Sequence, residues 1–207
     1  MRRRPSLTLT IIGLNTLIFF LSLIYLSSNE GWDYNIEGIC TRDIEKFCFV
    51  PNKMFERPYS LITSAFLHAD LSHLFFNMFA LLFFGSFLER RLGRNKFIII
   101  YFLSAIFGSL TYFAFYPSSN VPALGASAAI FGILGTLAIL YPNLIVWVGF
   151  TPMPILFAAF IWGIISFFGI FTPSSIAHHA HLGGLLTGIL IGIILKRRKR
   201  RVRIIYY

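Results

Sequence analysis

Residues 177–203 read AHHAHLGGLLTGILIGIILKRRKRRVR. Three histidines, His178, His179 and His181, open the run, and no charge interrupts it from Leu182 to Leu195. Seven basic residues then crowd into Lys196 to Arg203. Counted over 176–195, the apolar part has about the 20 residues that a helix needs to cross a hydrocarbon core of ~30 Å. Lys and Arg massed at one end mark a cytoplasmic flank. The histidines at the other end are ionisable groups inside a membrane segment, where they are costly and point to function.

The rest of the chain has the same character. Of 207 residues, 57% are hydrophobic, 24 are Phe and only 13% are charged. Mean hydropathy is +0.74. So few charges do not cover the surface of a soluble fold of this size. Five further runs have spanning length, at 7–26, 71–88, 97–116, 124–141 and 154–171, with Gly93, Pro117, Pro142 and Pro173 marking breaks. Pro154 suits a first helical turn. The run at 7–26 follows Arg2–Arg4 but is longer than a signal-peptide core and has no small-residue cleavage pattern behind it, so it reads as a retained helix. The expectation is an all-α, polytopic membrane helix bundle of six transmembrane helices in one domain, 1–207.

Orientation follows from Lys and Arg. With both termini cytoplasmic, the inner segments 1–6, 89–96, 142–153 and 196–207 hold 14 of the 18 basic residues, and the outer segment 27–70 holds seven of the eight acidic ones. The net charge of +10 therefore lies in membrane-flanking clusters, which argues against nucleic acid as partner. The basic tail 196–207 suits anionic lipid. The outer loop, about 28–70, interleaves Trp32, Tyr34, Phe47, Phe49, Met54, Phe55 and Tyr59 with charges and reads as interfacial. Cys40 and Cys48 lie in it; a disulfide and two free thiols both remain open.

Three polar signals fall inside spans. His73 and Asn77 are four residues apart on one face of the second span, with Asp70 or Ser72 as candidate caps. As a pair they also suit plain hydrogen bonding between helices. Gly125-Ala126-Ser127-Ala128 opens the fourth span, where free backbone N–H groups can stabilise an oxyanion. It is not the full G-x-S-x-G elbow, since Ala129 holds the last position, and small residues in such helices often serve packing alone. The histidine cluster opens the sixth span. No cysteine or carboxylate stands in the neighbouring spans to complete a metal site, so neither metal nor cofactor is expected. In the six-span topology, spans two, four and six run the same way, so His73, Ser127 and His181 converge on one membrane depth. Gly184, Gly188 and Gly192, and Ala128, Gly132 and Thr136, form small-residue faces that let spans four and six approach. Spans four to six offer no carboxylate to orient His181, which favours a Ser-His dyad over a triad.

At HADLSHLFFNM (68–78), ERRLG (89–93), GASAAIFGILG (125–135) and AHHAHLGGLLTG (177–188) the chain resembles the rhomboid family of intramembrane serine proteases in its six-helix bacterial form. The resemblance covers about 59–195. It implies Ser127 as nucleophile, His181 as general base and acid, and an oxyanion hole of His73, Asn77 and the Ser127 N–H. It also implies Phe131 packed on the catalytic histidine, Gly125 and His178 in supporting places, His68 as structural, and Glu89 and Arg91 as a structural pair. Ala128 stands where the family commonly has Gly, and Tyr59-Ser60 replaces a Trp-Arg pair. The substrates implied are single-span membrane proteins, entering near spans two and five, with Phe157, Phe160, Phe167 and Phe168 either lining that entry or facing lipid. The membrane implied is a cell inner or plasma membrane, with the site opening to the extracytoplasmic side. The alternative is a rhomboid-like protein that binds membrane clients without cutting them. Oligomeric state is not legible.

Overall fold

The computed structural model describes residues 6–29, 40, 44–174 and 176–205. Among the described residues, six apolar helices fall at the six expected runs. They are α1 (Leu7–Asn29), α2 (Leu71–Leu92, with a π-helical turn at Leu81–Gly85), α3 (Arg94–Phe115), α4 (Ser127–Leu140), α5 (Ile155–Gly169) and α6 (His178–Ile205). Among the described residues, α1, α2, α3 and α6 are long and apolar enough to cross a membrane. α4 and α5 have 14 and 15 residues. At ~1.5 Å per residue each rises only about 21–23 Å, short of the ~30 Å core.

Two boundaries move for identifiable reasons. The fourth run begins its helix at Ser127 instead of Leu124, because Gly125 sits at φ +115°, outside helical space, and donates its N–H to Ser64 O at 2.9 Å. The fifth begins after Pro154, which pairs opposite Ile145 and so ends a strand instead of opening a helix. The connection between α4 and α5 is thus not a plain loop. β1 (Ile145–Val148) and β2 (Thr151–Pro154) form an antiparallel hairpin around Gly149-Phe150, with Gly149 at the positive φ that a two-residue turn requires. The all-α expectation holds for the bundle and fails at this hairpin.

α4 is the centre of the bundle, with ten of its fourteen residues buried. Glycines set its neighbours. A Cβ on Gly184 would strike the Ala128 carbonyl, one on Gly188 the Gly132 carbonyl, and one on Gly192 would lie 3.2 Å from Thr136 O. The two small-residue faces therefore meet in parallel register, and the Thr136 hydroxyl donates to Gly188 O at 3.0 Å. α3 closes the other side: a Cβ on Gly108 would stand 2.7 Å from Ala128 Cβ and 2.8 Å from Ala180 O.

At the end of the bundle away from Ser127, the Glu89 carboxylate caps α1. It accepts from the N–H groups of Leu7 (2.8 Å) and Thr8 (2.9 Å) and from the hydroxyls of Ser6 (2.6 Å) and Thr8 (2.8 Å). These N–H groups are the unpaired donors of a helix start, where negative charge is favourable. Arg91 takes a separate role from Glu89: its guanidinium lies over the rings of Phe87 (5.1 Å) and Tyr141 (5.7 Å). Glu89→Gln turns one acceptor into a donor that faces donors. The expected cost is about 1–3 kcal/mol, read as a lowered midpoint in detergent-to-SDS unfolding. An unchanged midpoint would remove the cap from the account.

In the segment between α1 and α2, Cys40 and Cys48 are joined in a disulfide, which closes the question the sequence leaves open. Glu45 pairs with Lys53 (2.6 Å) and, more loosely, with Arg57 (3.8 Å). Phe49 exchanges two backbone hydrogen bonds with Ala123 (3.0 and 2.7 Å), tying the segment to the chain that leads into α4. Most of the expected interfacial stretch before Ile44, with Trp32 and Tyr34, lies outside the described residues. Phe55 and Tyr59 are exposed, whereas Phe49 and Met54 are buried. The basic run after Leu195 continues the backbone of α6 to Ile205.

Candidate active site

Ser127 is the first residue of α4. Ala126 precedes it as the helix cap, and the Ala126 carbonyl already accepts from Ile130 N–H at 3.0 Å. The first N–H groups of such a helix have no partner within it and point out of its start. One α4–α6 glycine contact above Gly184, His181 faces this start. Its Nε2 lies 2.8 Å from Ser127 Oγ. Phe131, one turn along α4, stacks on the imidazole at 4.3 Å between centroids and 14° between planes. The ring cannot rotate about its long axis without striking that face, so the Nε2 direction is held.

His73 completes one side. Asp70 caps α2, accepting the His73 N–H at 2.7 Å and the Ser72 hydroxyl at 2.6 Å. Those two donors, the hydroxyl first, hold the Asp70 carboxyl below its usual range, so the cap is ionised at neutral pH. His73 Nδ1 accepts from Ala69 N–H at 3.4 Å. The proton of a neutral His73 therefore sits on Nε2. A Cβ on Gly125 would lie 2.7 Å from that Nε2 and 3.8 Å from Ser127 Oγ. A side-chain N–H donor and the serine oxygen thus both lie beside Gly125, at the start of α4. His68, fully buried, meets His73 edge to face at 5.0 Å. Burial, with His73 as a second cause, pushes His68 down to about 3 and keeps it neutral.

The structure brings together Ser127, His181, Phe131, Gly125 and His73. Asn77 lies one turn below His73, buried, and spends an amide N–H on His73 O at 2.9 Å. His178 approaches His181 edge-on at 6.0 Å and packs on α5, where a Cβ on Gly169 would come within 2.5 Å of its ring. Phe157, Phe160, Phe167 and Phe168 are all exposed on the outside of α5. Among the described residues no cluster of His, Cys, Asp or Glu is arranged to hold a metal ion.

Sequence reasoning missed two contributors. Ser64 fixes the Gly125 turn through its carbonyl, a backbone role that no side-chain motif announces. Gly169 makes room for His178, and nothing local signals it. His179, the third histidine of the cluster, packs among Tyr112, Phe115 and Tyr116 (4.8–6.1 Å).

Gly125 permits a direct test of this geometry. Gly125→Ala puts a Cβ into the His73 ring and demands a φ that L residues avoid. A shift of ~1 Å in the donors costs about 10²-fold in rate. We expect cleavage of a membrane-anchored reporter to fall by that order while α-helical circular dichroism is kept. Full activity in this variant would show that His73 is not held against the serine.

The sequence has counterparts among known proteins. A family model described as Rhomboid domain matches residues 56–198. The chain is 32% identical over 188 residues to Rhomboid protein 1, mitochondrial, of Saccharomyces cerevisiae, covering 79% of this chain and 51% of that protein. It is 31% identical over 198 residues to Rhomboid protease GluP of Bacillus subtilis, covering 93% of this chain and 35% of that protein. Over a shorter stretch of 79 residues it is 40% identical to Inactive RHOMBOID-like protein 8 of Arabidopsis thaliana, covering 38% of this chain and 22% of that protein. The chain thus spans about half the length of the yeast relative and about a third of the Bacillus one.

Proposed function

The chain belongs to the rhomboid family, and from that premise we propose that it is an intramembrane serine endopeptidase working through a Ser127–His181 dyad. The observation that carries this reading is the 2.8 Å hydrogen bond between Ser127 Oγ and His181 Nε2. In the reaction, Oγ attacks the scissile carbonyl carbon as its proton passes to Nε2. The carbonyl oxygen gains the negative charge and meets the His73 Nε2–H and the N–H groups at the start of α4. His181 then returns the proton to the leaving amine, and the carbonyl re-forms as an acyl ester on Ser127. Water, deprotonated by His181, attacks that ester, and the acid leaves as His181 returns the proton to Ser127 Oγ. Asn77 contributes to the oxyanion side if its amide turns from His73 O toward the substrate.

The substrates of this reading are single-span membrane proteins whose helix unwinds to expose a peptide bond. All six helices count as spans, the short α4 and α5 included. Both termini are cytoplasmic, and the site opens to the extracytoplasmic side of a cell inner or plasma membrane. Supporting this orientation, Arg91 at the end of α2 meets Tyr141 after α4, and Lys196 of α6 donates to Ile139 O of α4 at 3.0 Å. The basic ends of α2 and α6 thus gather opposite the Ser127 end.

Cleavage of a generic single-span reporter in liposomes, with labelling by a serine-reactive fluorophosphonate, tests the proposal. Wild type cuts and labels; Ser127→Ala does neither while remaining folded. Cleavage that survives Ser127→Ala sinks the assignment. The similarity to a relative named inactive keeps a second reading in view, a client-binding protein that does not cut. It requires an unreactive Ser127, so the fluorophosphonate separates the two.

A further inference from the structure

The β1–β2 hairpin has apolar residues on both faces. Inward, Val146 is buried, and Leu144, Val148 and Met153 pack on the core. Outward, Ile145 is 58% exposed, Trp147 68% and Phe150, at the tip, 99%. The register puts Pro154 beside Ile145 and Pro152 beside Trp147 on the outward face. No residue from Pro142 to Met153 is charged. An antiparallel hairpin with one face in water carries polar residues there, and a lone two-stranded hairpin is barely stable in water. Yet it cannot sit in hydrocarbon either, because open strand edges are excluded from that region. The two prolines of β2 thin out its N–H groups without removing its carbonyls. An apolar face, an edge that needs water and a Trp beside it fit one environment, the boundary between headgroups and acyl chains.

We propose that this hairpin is a lipid-binding anchor, seated in the headgroup boundary of the leaflet opposite Ser127 and matched to anionic phosphates. The cations are in place around its base. Arg91 stacks on Tyr141, and Lys196 bonds Ile139 O, both just before the hairpin. Each lipid-facing cation near a surface of this kind attracts anionic headgroups. The anchor is joined stiffly to the helices it connects: Leu144 N–H donates to Tyr141 O (2.9 Å) and Ile155 N–H to Leu144 O (2.7 Å). Its depth therefore fixes the depth of Ser127, roughly 21 Å away along α4, and with it the peptide bond that a substrate helix presents. This last consequence rests on the proposed protease reading; the anchor itself does not.

The test uses the full chain with W32F/W162F, which leaves Trp147 as its one tryptophan, in vesicles of phosphatidylcholine with phosphatidylglycerol. Trp147 emission is expected to be blue-shifted and quenched severalfold more by lipids brominated high on the acyl chain than by lipids brominated near its end. Adding Phe150→Asp is expected to abolish most of that quenching and to move the bond cut in a reporter by one or more residues. Water-like emission quenched by iodide, strongest quenching from bromines at the chain ends, or quenching indifferent to Phe150→Asp each overturns the anchor. If quenching behaves as stated and no reporter is cut by any form, the anchor stands and the protease reading fails.

Discussion

On the proposed dyad, Ser127→Ala and His181→Ala are each expected to lower reporter cleavage by about 10⁴- to 10⁶-fold, and the double variant to fall no further. The reason is the single hydrogen bond of 2.8 Å that makes the two side chains one unit. Without His181 the hydroxyl keeps its proton and is a poor nucleophile; without Ser127 the imidazole has nothing to activate. What persists is stabilisation by the His73 donor and the α4 N-terminus. His73→Ala, which removes one donor and leaves the dyad, is expected to cost less, about 10²–10³-fold. Single-turnover cleavage in liposomes measures all four. If the losses from Ser127→Ala and His181→Ala instead multiply in the double variant, the two residues act independently and the dyad is wrong.

The second large effect is structural. Gly188→Val is expected to destabilise the bundle by more than the ~1–3 kcal/mol typical of overpacking. A Cβ on Gly188 would strike the carbonyl, carbon and Cα of Gly132, which are backbone atoms with no rotamer to yield. α4 and α6 must separate, and the Thr136–Gly188 hydrogen bond goes with the contact. Since the same register sets the Ser127–His181 distance, the folded fraction loses activity as well. Gly13→Ala is the control. Nothing lies within 4 Å of a Cβ there, and a helix gains roughly 1 kcal/mol when Ala replaces Gly. Unfolding midpoints that rank the other way would refute direct backbone contact between α4 and α6.

Much of this could be read in advance because lipid imposes few solutions. Apolar runs of spanning length specify helices, since backbone groups in a bilayer must be satisfied within the segment. Ser127, His181 and His73 stood out as polar groups inside such runs. The pairing of Gly184 with Ala128 and of Gly188 with Gly132 was legible as matching four-residue repeats on helices running the same way. Glu89 shows where reading stopped: its bond to the start of α1 joins residues more than eighty apart. Residue counts also misplaced the start of α4, because the Gly125 turn is set by Ser64 O.

The sequence alone determined the membrane class, the order of the helices, and which polar residues stand inside apolar runs, because hydropathy and residue type are properties of the chain. The tertiary structure decided what depends on distances between helices. It seated His181 Nε2 on Ser127 Oγ with Phe131 holding the ring, brought His73 to the serine through a turn only glycine fits, and joined Cys40 to Cys48. It also folded the uncharged run after Pro142 into a hairpin between the end of α4 at Leu140 and the start of α5, a pairing that no local pattern announces. Such contacts arise from close packing between segments far apart in sequence, and no local pattern encodes their geometry.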